Sequence, residues 1–214
     1  MKTHLKKTFK NVSFWILMLQ MCFVFSQKKV VVVDVGHGGK DSGAIGINNI
    51  QEKEVVLNVA KEIIRLNKTV FDDELDIYLT RYKDTLISLS DRSRLAKALK
   101  ADVFVSLHCN ASSTISKGVE VFVHNSDNLN AKASISLGLS VLDESTQKLG
   151  FKKRGIKFAD FQVLRETTFC LAVLVEMGFI TNTDEAGYFL KPQNIQALAL
   201  AILLGTTNYL NTGL

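Results

Sequence analysis

The sequence predicts an α/β fold: a three-layer, mostly parallel, twisted sheet with helices on both faces. Three observations carry this reading. Residues 29–35 form a continuous, largely β-branched apolar run stopped by Gly36-His-Gly-Gly39, as expected of a strand covered on both faces. In residues 52–66, Val55, Val56, Val59, Ala60, Ile63 and Ile64 then recur at helical spacing, with Glu52 opening the helix. The same alternation of short apolar runs and amphipathic stretches repeats down the chain.

In order, residues 75–80 read as a second strand and 88–99 as a helix begun by a Ser88 cap. Residues 102–107 and 118–123 read as strands, and 130–148 as a long helix. Short extended pieces are expected around 161–164, and 171–175 as a buried strand running into Glu176. A last helix follows Pro192, the one proline of the chain. In such sheets, sites lie beyond the carboxyl ends of the strands.

The bulk numbers fit one domain: 214 residues with 47% hydrophobic content can bury a core, and no linker or internal repeat is visible. The first 26 residues read differently. Lys2, Lys6, Lys7 and Lys10 precede the apolar stretch 12–25, and small Ser26 follows it, the layout of a secretory signal peptide. The expected organisation is a signal peptide over 1–26 and a catalytic domain over 27–214, exported to the periplasm or the extracellular cell envelope. The apolar run is short of the ~20 residues of a spanning helix, which leaves an uncleaved anchor as the alternative. Removing four lysines and no acid lowers the formal charge from +5 to +1. The basic balance thus belongs mostly to the leader, and nucleic-acid binding loses its main support. Cys109 and Cys170 remain, read as two buried free thiols with a disulfide as the alternative.

Two of the remaining histidines stand at equivalent strand ends: His37 after the first strand and His108 after the third. In a parallel sheet those ends face one rim. With Glu52 opening the first helix and Glu176 closing an apolar strand, two His and two Glu can converge. Catalytic zinc sites use three protein ligands and keep a position open, with two His and one Glu a known set. A nearby unbound carboxylate then serves as acid/base. No His-Glu-x-x-His helix motif is present.

The motifs Asp34-Val-Gly-His-Gly-Gly-Lys-Asp-Ser-Gly-Ala44, Glu52-Lys53, Leu79-Thr-Arg81, Asp91-Arg92, Ser106-Leu-His-Cys-Asn-Ala111, Gly118-Val-Glu-Val121 and Val173-Leu-Val-Glu-Met-Gly-Phe-Ile-Thr-Asn182 occur in order. Together they resemble the zinc-dependent N-acetylmuramoyl-L-alanine amidases of the amidase_3 type, over about Val31 to Tyr209. The resemblance implies His37, Glu52 and His108 as ligands of Zn²⁺ and Glu176 as the catalytic acid/base. It also implies peptidoglycan as substrate, cut between the lactyl group of N-acetylmuramic acid and the L-alanine of the stem peptide. The chain departs from the pattern at Leu171, where a proline is usual, and at Cys109, where alanine is usual. The segment Asn125 to Lys132 is too short for the inserted plug helix of some relatives.

Asn110, Arg81 and Arg165 are further candidates for substrate binding, with Arg92 weighed beside them; the alternatives are a turn-shaping Asn110 and arginines that are surface or structural partners. Asp34 is weighed as an acceptor orienting His37 or as a cap of the glycine loop. His124 is read as an exposed loop residue. The protein is expected to act as a monomer, and an activator or targeting protein is left open because no wall-binding module is visible. Two rival readings remain: a catalytically idle wall-binding or activator protein, and a zinc peptidase acting on peptide-to-peptide bonds.

Overall fold

The computed structural model describes residues 27–126 and 129–212; the expected leader, residues 1–26, lies outside the described residues. Strands β1 (Val30–Val35), β2 (Asp76–Leu79), β3 (Val103–Asn110), β4 (Val119–Val123), β5 (Lys153–Phe158) and β6 (Leu171–Phe179) form one sheet in the order β2-β1-β3-β6-β4-β5. The first four strands in that order run parallel; β4 is antiparallel to β6 and parallel to β5. The expected three-layer, mostly parallel architecture is the observed one.

Strand alternation divides the two faces. Val31, Val33 and Val35 of β1 pack with Val105, Leu107, Val173 and Val175 beneath α1 (Glu52–Val70), α3 (Leu129–Asp143) and α6 (Pro192–Thr212). Each fully buried valine or leucine there contributes about 1.5–3 kcal/mol. The even-numbered residues face the other way, where Val32, Phe104, Ala172 and Leu174 meet Ala96 of α2 (Leu89–Ala98) and Val163 and Leu164 of α4 (Gln162–Arg165). Those two helices are short and cover only part of their face. The sheet beyond them carries Asp34, Ser106, His108, Glu120 and Glu176, and that uncovered strip is where the site forms.

Several local expectations shift. Residues 153–158 are a strand, while 162–165 is a single helical turn; the Lys and Arg of the edge strand dilute the alternation that would announce it. The long helix ends at Asp143 and continues as a wider turn over Glu144–Lys148. Strand β6 runs past Glu176 to Phe179, because Glu176 is paired on both sides, with His108 and with Glu120. A further helix, α5 (Thr183–Phe189), is capped by Asn182, whose side chain accepts from the amides of Asp184 and Glu185. Ser88 caps α2 as expected, accepting from the amide of Asp91 at 3.2 Å. At the Leu171 position the backbone amide donates to Asp102 at 3.2 Å, a bond proline could not make.

Cys109 and Cys170 are free and buried in the clusters on opposite faces of the sheet, which rules out a bond between them in this fold. Among the described residues, no helix is long and apolar enough to cross a membrane.

Candidate active site

The loop after β1 brings the first histidine into place. His37 has a left-handed backbone, φ 57°, a conformation uncommon outside glycine. Arg92 holds it there by donating from Nη2 to the His37 carbonyl at 3.0 Å. The chain then turns through Gly43, φ 64°, where an added Cβ would stand 2.6 Å from both Glu52 Oε2 and the His37 ring. Only glycine fits that approach. The same loop caps α1 with backbone alone: Ala44 and Ser42 carbonyls accept from the amides of Glu52 and Lys53.

Glu52 is therefore a buried carboxylate at a helix N-terminus, where the dipole favours its charged form. Its Oε2 accepts from the Ala44 amide at 2.8 Å and its Oε1 from the Cys109 amide at 2.9 Å. The same Oε1 lies 3.1 Å from His37 Nε2 and 2.8 Å from His108 Nδ1. Burial alone would raise the Glu52 pKa; the two histidines overcome it and hold the group far below the usual carboxylate range. For His37, burial pulls the pKa down, but Glu52 and Asp41 outweigh it and the net shift is upward.

The donor set fits a metal. One ligand atom each from His37, Glu52 and His108 lie within 4.8 Å of one another. The other nitrogen of His37, Nδ1, lies 2.8 Å from Asp41 Oδ2; with Nδ1–H donating to that carboxylate, the neutral ring presents its Nε2 lone pair to Glu52. A lone pair aimed at a carboxylate oxygen is repelled unless a proton or a cation stands between them.

Glu176 lies beside this cluster, in register with His108 across β3 and β6. Its Oε2 is buried and has no hydrogen-bond partner. Burial first, then the charges of Glu52 and Glu120, push its pKa up to about 7 against the opposing pull of His108 and His37. All of these groups except Glu52 and Glu120 line one cleft of about 690 Å³, whose apolar walls are formed by Leu86, Leu89, Val163, Leu174 and Phe161.

The structure thus brings His37, Glu52, His108 and Glu176 together. It gives each of the other candidates a partner within the protein. Arg81 is buried and donates to the carbonyls of Val35, Gly36, Lys53 and Lys83, which ties the loops together beneath the cleft. Arg165 is paired with Asp160 and does not line the cleft. Asn110 donates to Glu120 at 2.7 Å. His124 is half-buried, not exposed, and stands 3.6 Å from Asp160. Asp34 does not contact the His37 ring: it accepts from Thr80, Ser106 and Arg92, and Asp41 holds the ring instead. Sequence reasoning missed Asp41 and Glu120. The His37–Asp41 spacing of four is the one local signal that could have found either of them.

Arg92 and Asp34 form a fully buried ion pair at 2.8 Å. Removing one partner of such a pair costs about 3–5 kcal/mol. Arg92→Met is expected to lower the unfolding free energy by that amount, read from the shift of the urea midpoint. A loss under about 1 kcal/mol would show that the remaining Asp34 charge is satisfied by other means.

Comparison with known proteins places the chain. The family described as Amidase_3, N-acetylmuramoyl-L-alanine amidase, matches residues 31–208. The chain is 40% identical to the endolysin of Bacillus phage SPP1 and 35% identical to the N-acetylmuramoyl-L-alanine amidase LytC of Bacillus subtilis, over 86% and 85% of its own length. It spans only 66% and 35% of those proteins. It is also similar to the solved catalytic domain of CwlV, an N-acetylmuramoyl-L-alanine amidase from Bacillus (Paenibacillus) polymyxa var. colistinus, with 37% identity and a TM-score of 0.77. That match covers 86% of this chain and 98% of that one.

Proposed function

Because the chain belongs to the Amidase_3 family of N-acetylmuramoyl-L-alanine amidases, we propose that it hydrolyses the amide between the lactyl group of N-acetylmuramic acid and L-alanine in peptidoglycan, with zinc. The observation that carries this is the convergence of His37, Glu52 and His108 beside Glu176 in one cleft.

In this reading His37, Glu52 and His108 hold the ion. Bound there, zinc supplies Lewis acidity that lowers the pKa of water towards ~7 and polarises a carbonyl. Asp41 fixes the His37 tautomer and ring direction. Glu176, with one buried oxygen uncommitted, takes a proton from the attacking water and passes it to the leaving nitrogen of L-alanine. Leu86, Leu89 and Phe161 offer the substrate an apolar surface along the cleft. Action on the wall agrees with the reading of residues 1–26 as an export leader and 27–214 as the catalytic domain.

Digestion of purified peptidoglycan, analysed by mass spectrometry, tests the proposal. Released stem peptides should begin with L-alanine and the glycan should keep its lactyl groups. Exhaustive chelation should abolish release, and added zinc should restore it. Fragments cut within the stem peptide would make the protein a peptidase, and no product at all would make it an idle fold. Undiminished release after chelation would remove the metal from the mechanism.

A further inference from the structure

Next to Glu176 lies a cluster of charge that the chemistry above does not use. Glu120 is buried on β4, in register with Glu176. Its Oε1 accepts from Asn110, and its Oε2 accepts from both Arg154 Nε and Lys157 Nζ at 2.6 Å. Two cations therefore meet one carboxylate; Arg154 also lies over the Phe179 ring and Lys157 over the Phe122 ring. Both stay within reach of solvent, their side chains 26% and 41% exposed. Among the described residues, Lys157 Nζ makes no other hydrogen bond and Arg154 Nη2 makes none. These donors remain available to a ligand.

The opposite side of the catalytic centre holds carboxylates that already have partners, Asp41 with His37 and Asp91 with Arg94. Asp41 and Asp91 line the cleft there, and no lysine does. The cations on that side are committed: Arg92 is buried against Asp34, and Arg94 is paired with Asp91. A substrate charged at one end is drawn towards the side whose cationic donors remain uncommitted.

We propose that Lys157 and Arg154 form a carboxylate-recognising subsite that orients the substrate, stem peptide towards β5 and glycan towards Asp41 and Asp91. This rests on the amidase reading above. The chemistry of that substrate decides which end goes where: free carboxylates belong to the stem peptide, the lactyl carboxyl is tied up in the scissile amide, and N-acetylated sugars are neutral. The span also fits. Strand β5 lies two strands from β6, about 10 Å at ordinary strand spacing. Two to three extended residues beyond the scissile bond cover about 7–11 Å.

The test uses two soluble muramoyl-peptide fragments that differ only at the second stem residue, one with a free α-carboxylate and one with a carboxamide. The protein as it stands should show a KM about tenfold lower for the acid, an advantage that shrinks with added salt. Lys157→Met should raise the KM for the acid towards that for the amide with little change in kcat, and Lys157→Arg should restore the difference. Equal KM values for the two fragments, or an equal loss on both in Lys157→Met, would overturn the subsite while leaving the amidase reading in place. Failure to release an L-alanine-headed peptide from either fragment and from whole peptidoglycan would overturn both.

Discussion

Replacing Glu176 with glutamine is expected to slow amide hydrolysis by about 10²–10⁴-fold, the usual cost of losing a general acid/base, while zinc content and fold are retained. The geometry explains why the two should separate. Glu176 stands next to His108 in register, but it is outside the three-residue donor cluster, and its Oε2 has no partner to lose. Glutamine keeps the shape and cannot take a proton. The pH dependence gives a second reading. With its pKa pushed up to about 7, the group is partly protonated at neutrality, so the carboxylate needed as a base disappears as pH falls through that value. Glu176→Gln should lose that acid limb. Stability follows the opposite sign. A carboxyl raised above its unfolded value favours the fold most below about 4.5, and that contribution is lost as pH rises through about 7. At pH 8 the glutamine variant should therefore melt at the same temperature as the parent or higher. Elemental analysis, turnover against pH and thermal melts decide the matter. Loss of zinc from Glu176→Gln, or release of peptide at the parental rate, would refute the assigned role.

His108→Ala and His37→Ala should instead lose metal and activity together. Each removes one of three converging donors, and a site of this kind has no spare ligand. Cys109 does not substitute: it follows His108 on the strand, faces the other side of the sheet, and burial keeps its thiol well above its ordinary pKa. Sub-stoichiometric zinc after dialysis, with no detectable peptide release, is the expected result for either variant. One zinc per chain in His108→Ala, equal to the parent, would show that the ion sits elsewhere. The two sets of variants together distinguish holding the metal from moving the proton.

Much of this was legible in the residues. Side-chain periods of 2 and 3.6 follow from covalent geometry, so the runs at 29–35, 102–107 and 171–175 and the stripe from Val55 to Ile64 declare strands and a helix without any tertiary information. Once those were strands of one parallel sheet, His37 and His108 had to share a rim, and Glu52 and Glu176 followed from their places beside it. The edge strand β5 was not legible, because Lys153, Arg154 and Lys157 belong to a strand whose apolar signal is weak.

Only the tertiary structure decided which way the remaining polar groups turned. Arg81 and Arg92 could be substrate or structural arginines in sequence; their partners Val35, Gly36 and Asp34 lie 45 to 58 residues away, and only the fold shows both buried and tied to them. Asn110 and Arg154 meet at Glu120 only because β4 inserts antiparallel between β6 and β5. The reason is physical: local periodicity is set by the backbone of each segment, whereas strand order and the pairing of buried charges are set by the summed free energy of contacts between segments far apart in the chain.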